Sequence, residues 1–197
     1  MLVSQARYRS AVWLLLFTVV SAVGVVLATR GSFSALMQVR VLAAWLLGAG
    51  LVVQIALEYV DFSKSEIETV GYAFLMVSYG LILAFCWANV STRGFGVISV
   101  GIAMNALVIG LNVGMPTKPI GNDASGNRVR KPVEQTVKHR QERSDDLLGG
   151  LGDKILFPRP FDTLVSFGDL VIAVGICELA YFASRRRPTI ELASRDA

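Results

Sequence analysis

Long apolar runs constrain this chain more than any other feature. The first, "AVWLLLFTVVSAVGVVLA" over 11–28, carries no charge, and similar runs fall at about 41–59, 70–90, 94–113 and 166–184. A helix rises 1.5 Å per residue, so about 20 apolar residues cross the roughly 30 Å hydrocarbon layer of a bilayer. Backbone groups in that layer must be bonded internally, which a helix does within itself. The expected fold is therefore an all-α integral membrane protein, a five-transmembrane-helix bundle forming one membrane domain. One long polar connection, 117–162, joins helices four and five, and a basic tail, 185–197, follows the last. The apolar part of the first run exceeds the roughly 7–15 residues of a signal-peptide core, which favours an anchored helix over a cleaved leader.

Composition agrees. The chain is 53% hydrophobic and 17% charged, where soluble domains average about 45–50% and 25%. The formal charge of +4 is spread over the flanks of the apolar runs and the long connection, not gathered as a nucleic-acid footprint. Membrane lipids are the expected partners, with a protein partner or a second copy of the chain also open, and nucleic acid is not expected. Cys86 and Cys177 lie inside apolar runs and His139 is the lone histidine. Together they offer neither a multi-ligand zinc or bis-histidine haem site nor a disulfide framework, so no metal, cofactor or catalytic residue is assigned.

Basic residues beside helix ends set orientation. Arg185-Arg186-Arg187 follows helix five, and Arg30, Arg40 and Arg93 fall on the same side, opposite the acidic link 61–69. Arg7, Arg9 and the basic residues of 117–162 argue the other way. The balance favours a multi-pass protein of the bacterial inner membrane, N-terminus outside and C-terminus cytoplasmic.

Polar residues within the runs carry the functional question. Because the helices alternate in direction, the ends of helices two and four and the start of helix five share one membrane face. That face holds Gln54 with Glu58, Asn112, and Ser166 with Asp169. Asn105 lies on the same stripe as Asn112, nearly two turns deeper, where an unpaired amide is costly. These five (Gln54, Asn105, Asn112, Ser166 and Asp169) form the candidate polar cluster. Blander readings stand beside each. Gln54 and Glu58 suit an interface, and Asn112 with Gly114 and Pro116 suits a helix stop with glycine in the left-handed position. "SFGD" (166–169) suits a capping box, and Asn105 suits a helix–helix hydrogen bond. In the connection, "PVEQTVKHRQERSDDLL" reads as a weakly amphipathic helix bearing Val133 and Val137 on one side. On it His139 lies on a solvated face. "GNDASGN" reads as a loop.

"GIAMNALVIGLNVGMP" and "LGDKILFPRPFDTLVSFGDLVIAVG", with the earlier "RGSFSALMQVRVLAAWLLGAGLVVQ", resemble an uncharacterised family of small polytopic bacterial membrane proteins. The resemblance maps onto Asn105, Asn112, Gly114, Met115, Pro116, Gly152, Asp153, Ser166, Gly168, Asp169 and Gly175. Val113 departs from it, glycine being expected there, and 118–146 does not align, so His139 is not carried over. The family implies an architecture and no activity.

Three functions fit these observations. The first is a non-enzymatic accessory protein, or a binder of a lipid headgroup or small solute. The second is proton-coupled or small-solute transport with Asp169 titrating. The third is a membrane enzyme in which Asp153, Asp169 and His139 converge.

Overall fold

The structure is a computed structural model. It describes residues 2–60, 63–123, 125–157 and 161–185, with the backbone alone for 2–14 and 64. The expected basic tail therefore lies outside the described residues except for Arg185. The described residues form seven α-helices: α1 (Leu2–Ala28), α2 (Phe33–Met37), α3 (Ala44–Tyr59), α4 (Lys64–Glu66), α5 (Tyr72–Ala88), α6 (Phe95–Asn112) and α7 (Phe167–Ala183). A π-helical turn, Ile67–Gly71, runs into α5.

The expected five-transmembrane all-α bundle is not what the chain forms. Among the described residues two helices are long and apolar enough to cross a membrane, Ile67–Ala88 and Phe95–Asn112, whereas the described apolar stretches Leu15–Ala28 and Ala44–Tyr59 are shorter. At 1.5 Å per residue the 16 residues of α3 reach only about 24 Å. The chain is not all helix either. The stretch expected as a helix, 132–148, holds strand β4 instead, one of six short strands in and beside the long connection among the described residues: β1 (Met115–Thr117), β2 (Ile120–Asn122), β3 (Arg128–Arg130), β4 (His139–Gln141), β5 (Ile155–Leu156) and β6 (Leu164–Val165). The strands pair as β1–β4 in parallel and as β2–β3 and β5–β6 antiparallel. Tertiary pairing is the physical reason. No proline lies within 133–148 and Pro132 would sit at a helix's first position, where it is tolerated, but β1 takes up His139–Gln141 as a strand and Val137 is drawn into the core. Val137 does not sit on a helical stripe; it packs into the helices beside Gly71. "GNDASGN" becomes the turn of the β2–β3 hairpin, with Asp123 Oδ1 accepting from the backbone of Ser125 and Asn127. Residues 113–166 thus form a small capping unit over one end of the helices.

Within the helical part, α6 lies between α5 and α7, α3 packs on α5, and α1 packs on α7. The core runs through Leu75, Tyr79, Ile82, Phe85, Ile102, Val108 and Ile109 into Met115 and Val137 of the cap. The α6–α7 seam is built from glycine. Gly94 and Gly101 on α6, seven residues apart, face Gly175 and Gly168 on α7, also seven apart. A Cβ on Gly101 would come within 2.6 Å of the Gly168 carbonyl oxygen, and one on Gly175 within 2.7 Å of the Ile98 nitrogen. At the far end Asn89 holds both backbone groups of Leu42, Arg93 stacks 4.3 Å over Phe182, and Arg185 donates to the Thr29 carbonyl. The ends of α1 and α7 and the α5–α6 turn therefore share one end of the molecule, and the cap occupies the other.

Candidate functional site at the junction of cap and helices

Close approach along the glycine seam brings Asn105 to the start of α7. Ser166 Oγ donates to Asn105 Oδ1 at 2.8 Å, and Asn105 Nδ2 donates to Asp169 Oδ1 at 2.8 Å. The Ser166 amide donates to Asp169 Oδ2 and the Asp169 amide donates to Ser166 Oγ, both at 3.0 Å. "SFGD" is thus a capping box, and Asn105 closes it into a three-residue ring across two helices. A Cβ on Gly168 would overlap Asn105 Oδ1, so glycine at this position admits the amide.

The other two sequence-predicted residues stand apart from this ring. Asn112 ends α6 and clamps the cap: its Nδ2 donates to the carbonyls of Val108 and Leu147, and its Oδ1 accepts from the Leu147 amide. Its own carbonyl accepts from Arg140 Nε, whose guanidinium also pairs with Asp146. Val113 takes the left-handed conformation at the helix stop, with φ 52°, and Gly114 follows at φ 127°, also in the region that favours glycine. Gln54 is half-buried on α3 and forms no side-chain hydrogen bond among the described residues.

Two cap residues outside the candidate polar cluster, Lys138 and Asp153, complete the site. Lys138 is half-buried and follows Val137, which packs in the same core cluster as Tyr79. Tyr79, buried on α5, is the group that most favours the charged form of Lys138; burial opposes, and the carboxylates of Asp169, Asp153 and Glu58 add to the effect. Its pKa is consequently raised. Asp153 is buried, accepts from Thr117 Oγ1 at 3.2 Å and meets His139 Nε2 at 3.3 Å. Burial pushes the Asp153 carboxyl up to about 7; the Asp169 charge adds to this, while Lys138 and the Thr117 bond pull it back. His139 lies on β4 against Asp153, not on a solvated helix. Gly152 permits this arrangement, because a Cβ there would run into the Pro116 carbonyl that receives the Asp153 amide.

One site is therefore assembled from Tyr79 on α5, Asn105 on α6, Ser166 and Asp169 on α7, and Lys138 and Asp153 from the cap. Among the described residues no group of three or more His, Cys, Asp or Glu side chains is placed to hold a metal ion. The signal for Lys138 was its place one residue after Val137, an apolar residue in a polar run. Tyr79 carried no signal within its apolar run.

A family model described as DUF5317, a family of unknown function, matches residues 37–181. The chain belongs to that family. No curated protein and no solved structure matches it. The DUF5317 match begins at the end of α2 and runs through most of α7, so it contains the glycine seam, the whole cap and every residue of the junction cluster.

Proposed function

We propose that this DUF5317 protein is a multi-pass protein of a bacterial inner membrane that binds a small polar solute or a lipid headgroup at the junction of cap and helices, without catalysing a reaction. The observation that carries this reading is the junction itself: a lysine, two aspartates, a tyrosine, an asparagine and a serine gathered from five segments at one end of apolar helices. The sides of those helices support the membrane placement. Val52, Val77, Val100 and Val174 are each more than half exposed, and helices apolar on every face belong in a protein core or in lipid. The hairpin Ile67–Ala88 and Phe95–Asn112 crosses the bilayer. Its turn, with Arg93 and nearby Arg185, faces the cytoplasm by the positive-inside tendency. On this reading the start of α1 and the cap lie outside.

Transport through a titrating Asp169 has less support, since both carboxylate oxygens are engaged, one by Asn105 and the other by the Ser166 amide. The enzymatic alternative draws on the Asp153–His139 contact, but Asp169 is committed to the capping box and is not available as a base. The test is native mass spectrometry of the protein released from nanodiscs, comparing wild type with Asn105→Leu and Lys138→Met. A bound small molecule or lipid retained by wild type and lost from both variants, with helix content unchanged, is the expected result. Retention in both variants removes the junction from any binding role.

A further inference from the structure

A second feature of the cap lies outside the junction cluster. A groove of about 350 Å³ opens beside the β2–β3 hairpin, floored by Ile120 and Val129 and lined by Lys118, Arg128, Arg130 and Glu142. Its charges do not cancel. Glu142 is taken by Lys154 at 2.7 Å, and Lys131, next along β3, pairs with Asp162. Lys118, Arg128 and Arg130 have no carboxylate within ion-pair distance among the described residues, so three exposed cations flank an apolar floor with no internal counter-charge. Arginine matches a phosphate in particular, because its planar fork donates two parallel hydrogen bonds to one anionic group.

We propose that this groove binds the phosphate of an anionic phospholipid headgroup. The choice of a lipid over a free phosphate rests on where the cap sits. Its base is apolar and exposed beside the end of α6, at Val113, Leu147 and Leu148, with Leu147 held there by Asn112. A folded unit of about 50 residues has a radius of gyration of only about 10 Å. Lys118 follows Val113 by five residues, at most about 18 Å of extended chain, so the near edge of the groove stays within roughly two screening lengths of the headgroup layer if that base rests on the membrane. The proposal depends on the membrane placement argued above but not on the junction cluster.

The full chain in nanodiscs of phosphatidylcholine mixed with phosphatidylglycerol tests it, with native mass spectrometry reading the lipids retained. Wild type is expected to enrich phosphatidylglycerol over phosphatidylcholine about tenfold relative to the disc. Lys118→Gln combined with Arg128→Gln and Arg130→Gln, all at exposed positions, is expected to bring the ratio to that of the disc. Arg143→Gln, an exposed cap position outside the groove, is expected to leave it unchanged. Enrichment that survives the triple variant overturns the groove, and enrichment lost equally in Arg143→Gln assigns it to the overall charge of the cap and overturns the groove as well. Full displacement of the lipid by soluble glycerol phosphate overturns the lipid as occupant. Failure of the chain to enter nanodiscs overturns this proposal and the membrane reading together, whereas entry without enrichment overturns this one alone.

Discussion

Asp153 is the residue whose charge most sets the behaviour of the junction. Its carboxyl gives up a proton near pH 4 in the unfolded chain but at about 7 in the folded one. Between those values the folded state holds a proton that the unfolded state has lost, so stability falls as pH rises through that window and levels off above it. Asp153→Asn is expected to raise the melting temperature at pH 8, by an amount on the order of 2–4 kcal/mol in unfolding free energy. The gain should shrink steadily toward pH 5. Melting curves of the two proteins that run parallel across this range would sink the assignment. Val113 offers a simpler case. It is held at φ 52°, where a left-handed β-branched residue costs about 1–2 kcal/mol and glycine costs far less. Val113→Gly is thus expected to stabilise by about 1 kcal/mol, read as a shift in thermal melting. The residue scale was partly legible in the sequence. Asn105 stood out because an amide deep in an apolar run must find a partner. Lys138 did not, because a lysine in a polar stretch looks solvated until the chain on either side of it folds inward.

Among elements, the α6–α7 pair decides whether the junction exists. Asn105 can reach Ser166 and Asp169 only because Gly94, Gly101, Gly168 and Gly175 let two backbones meet. Alanine has the better helix propensity by about 1 kcal/mol, but at Gly101 the added carbon meets the Gly168 carbonyl oxygen at 2.6 Å and the Ile172 nitrogen at 2.8 Å. Backbone atoms cannot rotate away as a side chain can, so the clash outweighs the propensity gain. Gly101→Ala is expected to cost about 1–3 kcal/mol and to lengthen the Asn105–Asp169 contact. Gly80→Ala is the control: nothing lies within 4 Å of its added carbon, and it is expected to be neutral or stabilising. Equal melting of the two variants would show that the seam does not depend on close approach. The heptad spacing of these glycines was present in the sequence, but each pair signals only when its partner helix is known. The capping box was readable in advance because both of its partners lie within four residues. The strands of the cap were not, because each is two or three residues long and its partner is set by tertiary contact.

At the scale of the whole molecule the two halves follow different rules. The helical half is apolar inside and out, while the cap binds its own charges in pairs such as Arg140–Asp146 and Lys154–Glu142. Apolar runs announce the first half in any sequence; the second half depends on proline, turns and long-range pairing, and so it read as an unfolded connection with one weak helix. If the helical half lies in lipid, the two tryptophans exposed among the described residues should mark one edge of the bilayer. Trp87 is 77% and Trp45 69% exposed, and both lie at the end of the molecule opposite the cap, where Asn89 ties α5 to Leu42. Tryptophan prefers the level of the headgroups, where an apolar ring and a polar N–H are both satisfied. Single-tryptophan proteins retaining Trp45 or Trp87 are therefore expected to be quenched more by lipids brominated near the headgroup than by lipids brominated near the chain end. Iodide in the aqueous phase should quench both weakly. Strong iodide quenching with no response to brominated lipid would place this end of the helices in water, and their exposed apolar faces would then have to meet another protein surface.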